Sequence, residues 1–149
     1  TGPVFPLHVP LLVESPGMAE ALLRDPLASK TVGMFDSLTR AAVGIGAWAP
    51  GASTIRTALP PTDARAVDDA GGVADLCSIV LDADGRQVRA AGLPERCIAI
   101  GEDQLRRVPD VIAIAGGADK VPASRAALRS GLIHRLVTNE DAARLLAAG

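Results

Sequence analysis

The sequence predicts an α/β fold: a Rossmann-like, open, mostly parallel sheet with helices on both faces and a β-hairpin insert. Three observations lead there. Val111-Ile112-Ala113-Ile114-Ala115 is wholly apolar and ends at Gly116-Gly117, as a strand buried on both faces of a parallel sheet reads. A helix-length segment from Ala118 to Ser130 follows, stopped by Gly131, and then a second strand, Leu132 to Val137, so that the order is strand, helix, strand. The composition is 48% hydrophobic but only 2% aromatic, which calls for aliphatic layers such as helices packed on a buried sheet. A length of 149 residues suits one domain whose core needs no disulfide or metal.

The remaining elements are set by local start and stop signals. Ser15-Pro16 supplies a cap and a first-turn proline for a helix to about Arg24. Asp25-Pro26 repeats the signal for a second helix, in which Leu27, Lys30, Thr31, Met34 and Leu38 are helically spaced and should face the sheet. Ala41 to Gly46 reads as a buried parallel strand running into a loop, and Pro60-Pro61 opens a helix that ends near Ala70 before Gly71-Gly72. A strand is predicted from Val73 to Leu81, turning at Asp82-Ala83-Asp84-Gly85 into a hairpin with Gln87-Val88-Arg89. Cys97 to Gly101 reads as another buried strand, Glu102 to Val108 as a short helix, and Glu140 to Ala148 as the last helix, capped by Thr138 or Asn139 with Glu140 and Asp141 in its first turn.

Fifteen basic against seventeen acidic residues leave a formal charge of -2, with no basic cluster able to neutralise a row of phosphates, so this chain is not itself expected to bind DNA. Cys77 and Cys97 have neither CxxC nor zinc-site spacing and are expected to be buried small apolar residues; no metal or cofactor is implied. His8 and His134 lack a relay partner, and no nucleophile elbow is present. The start, Thr1-Gly2-Pro3-Val4-Phe5, carries no signal segment, and no apolar run reaches membrane length, which predicts a soluble, cytoplasmic protein. Without an initiator Met, the chain reads as part of a larger product.

In a parallel sheet, ligands gather at the carboxyl ends of the strands, where loops and helix starts offer free N–H groups. Three places qualify. Gly44 and Gly46 open a loop that reaches Ser53, Thr54 and Arg56, where a guanidinium and hydroxyls could meet a phosphate or sugar, or Arg56 could be a surface arginine. Asp75 interrupts an apolar stretch and is either an acceptor for sugar hydroxyls or an outward-facing strand residue. Gly116, Gly117 and Lys120 could hold an anion, or form a tight turn with a solvated lysine.

Taken in order, these loops resemble the effector domain of SorC-type transcription regulators. The resemblance rests on Val43-Gly44-Ile45-Gly46, on Val73-Ala74-Asp75-Leu76 with Asp82-Ala83-Asp84-Gly85, and on Val111 through Gly117 with Lys120. The closing run Ala126-Ala127-Leu128-Arg129-Ser130-Gly131-Leu132-Ile133, followed by Leu136 to Glu140 and Ala143, is similar to that family's carboxyl-terminal part. The resemblance implies a fold similar to sugar-phosphate isomerases and a phosphorylated sugar as effector. Arg56, Asp75 and Lys120 would line the pocket, with Gly44, Gly46, Gly116 and Gly117 shaping its backbone. It further implies a partial effector domain over residues 1–149, a DNA-reading helix-turn-helix domain and the first part of the sensor outside this chain, and assembly as a dimer or tetramer. The sequence departs from the family at Ala74 and Ser78, where glycines are usual, and at Ile79, Val80 and Leu81, where aromatics are common. The expected role is a sensor rather than an enzyme; the alternative is an isomerase or deaminase of the same fold, for which Asp75 and Glu102 are the available bases.

Overall fold

The computed structural model describes residues 2–148. In chain order the elements are α1 (Pro16–Leu23), α2 (Pro26–Gly33), β1 (Ala41–Gly44), β2 (Gly46–Ala47), α3 (Thr54–Ala58), α4 (Pro61–Asp69), β3 (Ala74–Leu76), β4 (Ile79–Leu81), α5 (Leu93–Arg96), α6 (Glu102–Arg107), β5 (Val111–Ile114), α7 (Val121–Ser130), β6 (Arg135–Val137) and α8 (Glu140–Ala147). Short 3-10 turns lie at Phe35–Ser37, Ala90–Gly92 and Ala118–Lys120.

The capping signals act as expected. Ser15 Oγ accepts from the Met18 N–H at 3.3 Å, and the Asp25 carboxylate accepts from the N–H groups of Leu27 and Ala28 at 2.9 and 3.3 Å. Helix α2 does not lie on the sheet as predicted. It buries only Ala28, packs chiefly against α1 and the Phe35–Ser37 turn, and leaves Leu27 71% exposed, because its Ala, Ser, Lys and Thr positions form no apolar stripe wide enough to cover a sheet.

Strands β1, β5 and β6 form a parallel sheet in that spatial order, with Val43 opposite Ala113 and Ala113 opposite Leu136. The β5–α7–β6 crossover is the predicted alternation, and Gly131 ends α7 in the left-handed conformation at φ 68. The strand expected to run through Gly46 breaks at Ile45. Beyond it, β2 leaves the parallel sheet and pairs antiparallel with β3, so this segment joins two sheets.

The single strand expected over Val73–Leu81 is two strands. β3 and β4 pair antiparallel, Leu76 opposite Ile79, around a two-residue turn at Cys77 and Ser78, whose φ angles are 50 and 70. Neither residue is a glycine or asparagine, so the turn carries no local signal. The three residues of β4 hold it in place: Ile79, Val80 and Leu81 are all almost fully buried, with Ile79 and Leu81 in the main core and Val80 in a second cluster around Trp48 and Val67. The predicted turn at Asp82–Gly85 also forms, with Leu81 bridging to Gln87 and the Val88 N–H donating to Val80 O at 2.8 Å. Cys97–Gly101 is not a strand; Cys97 makes one antiparallel bridge to Leu12, and the Ile98 N–H donates to Leu11 O at 2.8 Å, tying the amino-terminal segment to the domain.

The main core lies between the parallel sheet, the β3–β4 hairpin and helix α7, which contributes Ala123, Ala126 and Ala127. The small side chains of α7 allow close approach of the helix to the strands. His134 is structural, its Nδ1 accepting from the Val111 N–H at 3.1 Å. Cys77 and Cys97 are free thiols only partly buried, a correction to the expectation of full burial.

At the amino ends of the strands, Asp110 is held by Arg40 at 2.7 Å and by both Nε and Nη2 of Arg135, bonds that push its pKa down to about 2. A depressed carboxylate pKa adds stability above the unfolded value of about 3.9, which is lost as pH falls through the folded value. Asp110→Asn is therefore expected to lower the urea midpoint at pH 7, and the gap from the parent should close as pH falls from about 4 to about 2. A gap unchanged at low pH would show that the ion pairs do not couple to folding.

Candidate functional site

The break at Ile45 builds the site. Once β2 pairs with β3, Gly46 stands directly opposite Asp75, and the carboxylate lies over the glycine: a Cβ on Gly46 would fall 2.9 Å from Asp75 Cγ. Lys120, at the end of the turn after β5, donates from Nζ to Ile45 O at 3.0 Å, which places its ammonium on the same short segment. Ser53, 2% exposed, completes the group; its Oγ accepts from the Arg56 N–H at 3.1 Å as the cap of α3.

Asp75 is the electrostatically unusual member. Burial pushes its pKa above the ordinary carboxylate value, partly opposed by the Ser53 hydroxyl and the Lys120 charge nearby. Ser53 lowers the cost of the charge without reaching Asp75 in hydrogen-bond geometry, and Oδ1 is buried with no hydrogen-bond partner among the described residues. A carboxylate with an orphaned oxygen and a charge perturbed by burial is the kind of group that concentrates at functional sites.

The turn after β5 is fixed by an interaction that spacing alone did not reveal. Asn139, expected as the cap of α8, makes no side-chain cap; its Oδ1 instead accepts from the Gly117 N–H at 2.9 Å and lies 3.4 Å from the Cβ position of Gly116. Gly117 has φ 106 and ψ 145, a conformation that side-chain-bearing residues rarely adopt. Gly44 ends β1 with open space around its Cβ position.

Arg56 does not join this cluster. Its Nη2 and Nε bind Asp68 on α4 at 2.7 and 3.2 Å, and Asp68 also accepts from Trp48 Nε1 at 2.8 Å. The guanidinium is therefore committed to anchoring α3 and Trp48 on α4, and it holds the Asp68 carboxyl below its ordinary value. The structure thus brings together Gly46, Asp75 and Lys120, places Gly116 and Gly117 on the turn leading to Lys120, leaves Gly44 at the strand end and turns Arg56 toward Asp68. Asn139 is the position that sequence reasoning used only as a cap, since its bond to Gly117 spans a tertiary contact that no spacing rule marks, whereas Ser53, whose hydroxyl the sequence already offered to a ligand, stands here as the local cap of α3.

Of the two carboxylates considered as bases, Asp75 lies in this group and Glu102 does not. Glu102 pairs with Arg106 at 2.6 Å rather than facing Asp75. Among the described residues no cluster of His, Cys, Asp and Glu could hold a metal ion, and no helix is long and apolar enough to cross a membrane.

An α/β domain that gathers glycines, a carboxylate and an ammonium at its strand ends has the make-up of a small-molecule binding domain. The chain belongs to the family described as "Putative sugar-binding domain", whose model matches residues 1–148. It is 31% identical over 145 residues to the transcriptional regulator LsrR of Klebsiella pneumoniae, covering 95% of this chain and 45% of that protein. It is 28% identical to the central glycolytic genes regulator of Bacillus subtilis, covering 89% of this chain and 37% of that protein. The crystal structure of the full-length sorbitol operon regulator SorC from Klebsiella pneumoniae superposes with a TM-score of 0.83 at 26% identity, covering 92% of this chain and 44% of that one. The SorC-type resemblance and the α/β fold class are both borne out, and the chain spans under half the length of these relatives.

Proposed function

We propose that this chain is the effector-sensing part of a transcription regulator and binds a sugar or sugar phosphate at its strand ends. The observation that carries the reading is the Gly46–Asp75–Lys120 cluster: a half-buried carboxylate with an unpartnered oxygen, a glycine directly against it and an ammonium close by. Asp75 accepts from a ligand hydroxyl, and Lys120 with the Gly116-Gly117 turn receives the anionic end. Arg56 reaches the ligand only by exchanging Asp68 for it, a switch that would couple occupancy to the α3–α4 contact. Membership of the sugar-binding family and likeness to named regulators support this reading over an enzyme of the same fold.

In this proposal the DNA reader and the rest of the sensor lie in flanking chain, the assembled regulator is a cytoplasmic homo-oligomer, and the sensor performs no catalysis. A coupling of about 1 to 3 kcal/mol between effector and operator sites suffices, and it needs only different ligand affinity in two states.

The test is calorimetry with a panel of sugars and their phosphates, alongside operator binding and substrate turnover by a regulator carrying this chain. Lys120→Met is expected to weaken a phosphorylated ligand at least tenfold, the loss of one charge-assisted hydrogen bond of about 1.5 to 3 kcal/mol, while leaving an unphosphorylated sugar unchanged. Equal losses for both ligands would remove Lys120 as the anion partner, and turnover without any change in operator binding would overturn the sensor assignment.

A further inference from the structure

Asn139 stands where a helix cap is expected and does not cap. It directly precedes α8, yet its side chain makes no bond to the first-turn N–H groups of that helix. The Oδ1 instead turns back across the domain and accepts from the Gly117 N–H at 2.9 Å, a contact between residues 22 apart in sequence. An asparagine before a helix ordinarily stabilises that helix, so α8 gives up a local contribution in favour of the turn after β5.

That turn is one whose shape must be chosen from outside. Gly117 lies at φ 106, and a glycine there has a wide choice of other conformations, so the residue does not set its own geometry. Its carbonyl accepts from the Lys120 N–H at 3.2 Å, closing the Ala118–Lys120 turn, and Lys120 Nζ then reaches Ile45 O at 3.0 Å. The bond from Asn139 therefore fixes the first peptide of a short path that ends at the ammonium of the site. Asn139 Oδ1 also lies 3.4 Å from the Cβ position of Gly116, so one amide lies against both glycines.

Charge makes the residue type matter. Asp119 already lies over the turn, its Oδ1 2.5 Å from the Cβ position of Gly117. Glu140 is neutralised by Arg144, whereas Asp119 and Asp141 form no ion pair among the described residues. A carboxylate at position 139 would accept the same Gly117 bond, but with a further negative charge beside the place where an anion is received. With the amide, the Asp119 carboxylate is balanced by Lys120; a carboxylate would tip that balance against an anion.

We infer that Asn139 is a positioning residue for the anionic end of the ligand: it holds the Gly116-Gly117 turn that carries Lys120, and does so without charge. The inference rests on the reading of this turn as the anion-receiving side of the effector site. Asn139 acts through Gly117 and Lys120 and needs no contact with the ligand.

The test uses inorganic phosphate as the probe in an amide-shift titration of the isotope-labelled chain, with two substitutions at the one position. In the parent, millimolar phosphate is expected to move the Gly116, Gly117 and Lys120 signals. Asn139→Ala removes the acceptor. The Gly117 amide should then exchange its hydrogen about tenfold faster, and phosphate should bind about fivefold more weakly, the worth of one hydrogen bond. Asn139→Asp keeps the acceptor and adds a charge, so Gly117 protection should be retained while phosphate weakens about tenfold. Affinity lost without loss of protection separates the charge effect from damage to the fold. If phosphate leaves the parent's signals unmoved, the anion-receiving reading of Lys120 falls and this inference with it. If phosphate moves them and binds either variant as tightly as the parent, only the role of Asn139 is overturned. Unchanged Gly117 exchange in Asn139→Ala overturns that role as well.

Discussion

Gly85→Ala is expected to destabilise the fold by on the order of 3 kcal/mol and to lower the melting temperature by about 10 °C, more than other changes of comparable size. Two costs combine at this residue. Its φ of 83 suits glycine, and an L side chain there loses about 1 to 2 kcal/mol. The Asp82–Gly85 turn also lies flat on the carboxyl end of α7, where a Cβ would come within 2.7 Å of Arg129 C and 2.8 Å of Ala126 O. Those are backbone atoms of a packed helix and cannot move aside as a side-chain tip could. Arg129 Nη1, which donates to Ala83 O at 2.9 Å, would be strained with them. Thermal unfolding followed by circular dichroism measures the loss; a melting temperature within about 2 °C of the parent would mean that the turn lifts off α7 without cost, and that this contact is not a structural tie.

Gly46→Ala has the opposite signature: small in stability, large in binding. The new methyl would collide with the Asp75 carboxylate, its nearest neighbour, but the backbone at Gly46 is not in the left-handed region and the obstacle is a side chain that can rotate. The fold should survive with a change in stability below about 1 kcal/mol, while the carboxylate swings away from the position it shares with Lys120. If Asp75 accepts a ligand hydroxyl, the loss is at least tenfold in affinity, since hydrogen bonds to charged groups contribute about 1.5 to 3 kcal/mol. Unchanged affinity in a folded Gly46→Ala protein would remove Asp75 from the ligand contacts. The two glycines thus separate what holds the domain together from what the domain holds.

Much of the architecture was legible because its signals are local. Ser15-Pro16, Asp25-Pro26, Pro60-Pro61 and Gly131 mark helix ends through capping and backbone constraints that act within a few residues, and the structure places the helices there. The parallel β5–α7–β6 unit was legible for a similar reason: a wholly apolar strand and an Ala-rich helix have few other places to go. The Cys77–Ser78 turn was not, because it has no turn residues. What forces the chain to reverse is that Val80 packs against the Trp48 cluster while Ile79 and Leu81 enter the main core.

The candidate site divides along the same line. The sequence by itself determined the domain class, the family and the residue types at the strand ends: glycines at Gly44, Gly46, Gly116 and Gly117, a carboxylate at Asp75 and cations at Arg56 and Lys120. Only the tertiary structure decided which of these meet. Antiparallel pairing of β2 with β3 puts Asp75 over Gly46, and Lys120 reaches Ile45 O, whereas Arg56 is claimed by Asp68 and Asn139 by Gly117. The physical reason is that capping and periodicity are written in neighbouring residues. A carboxylate's partner, by contrast, is set by which buried charge the folded chain brings within about 3 Å, and that distance is fixed by packing across the whole domain.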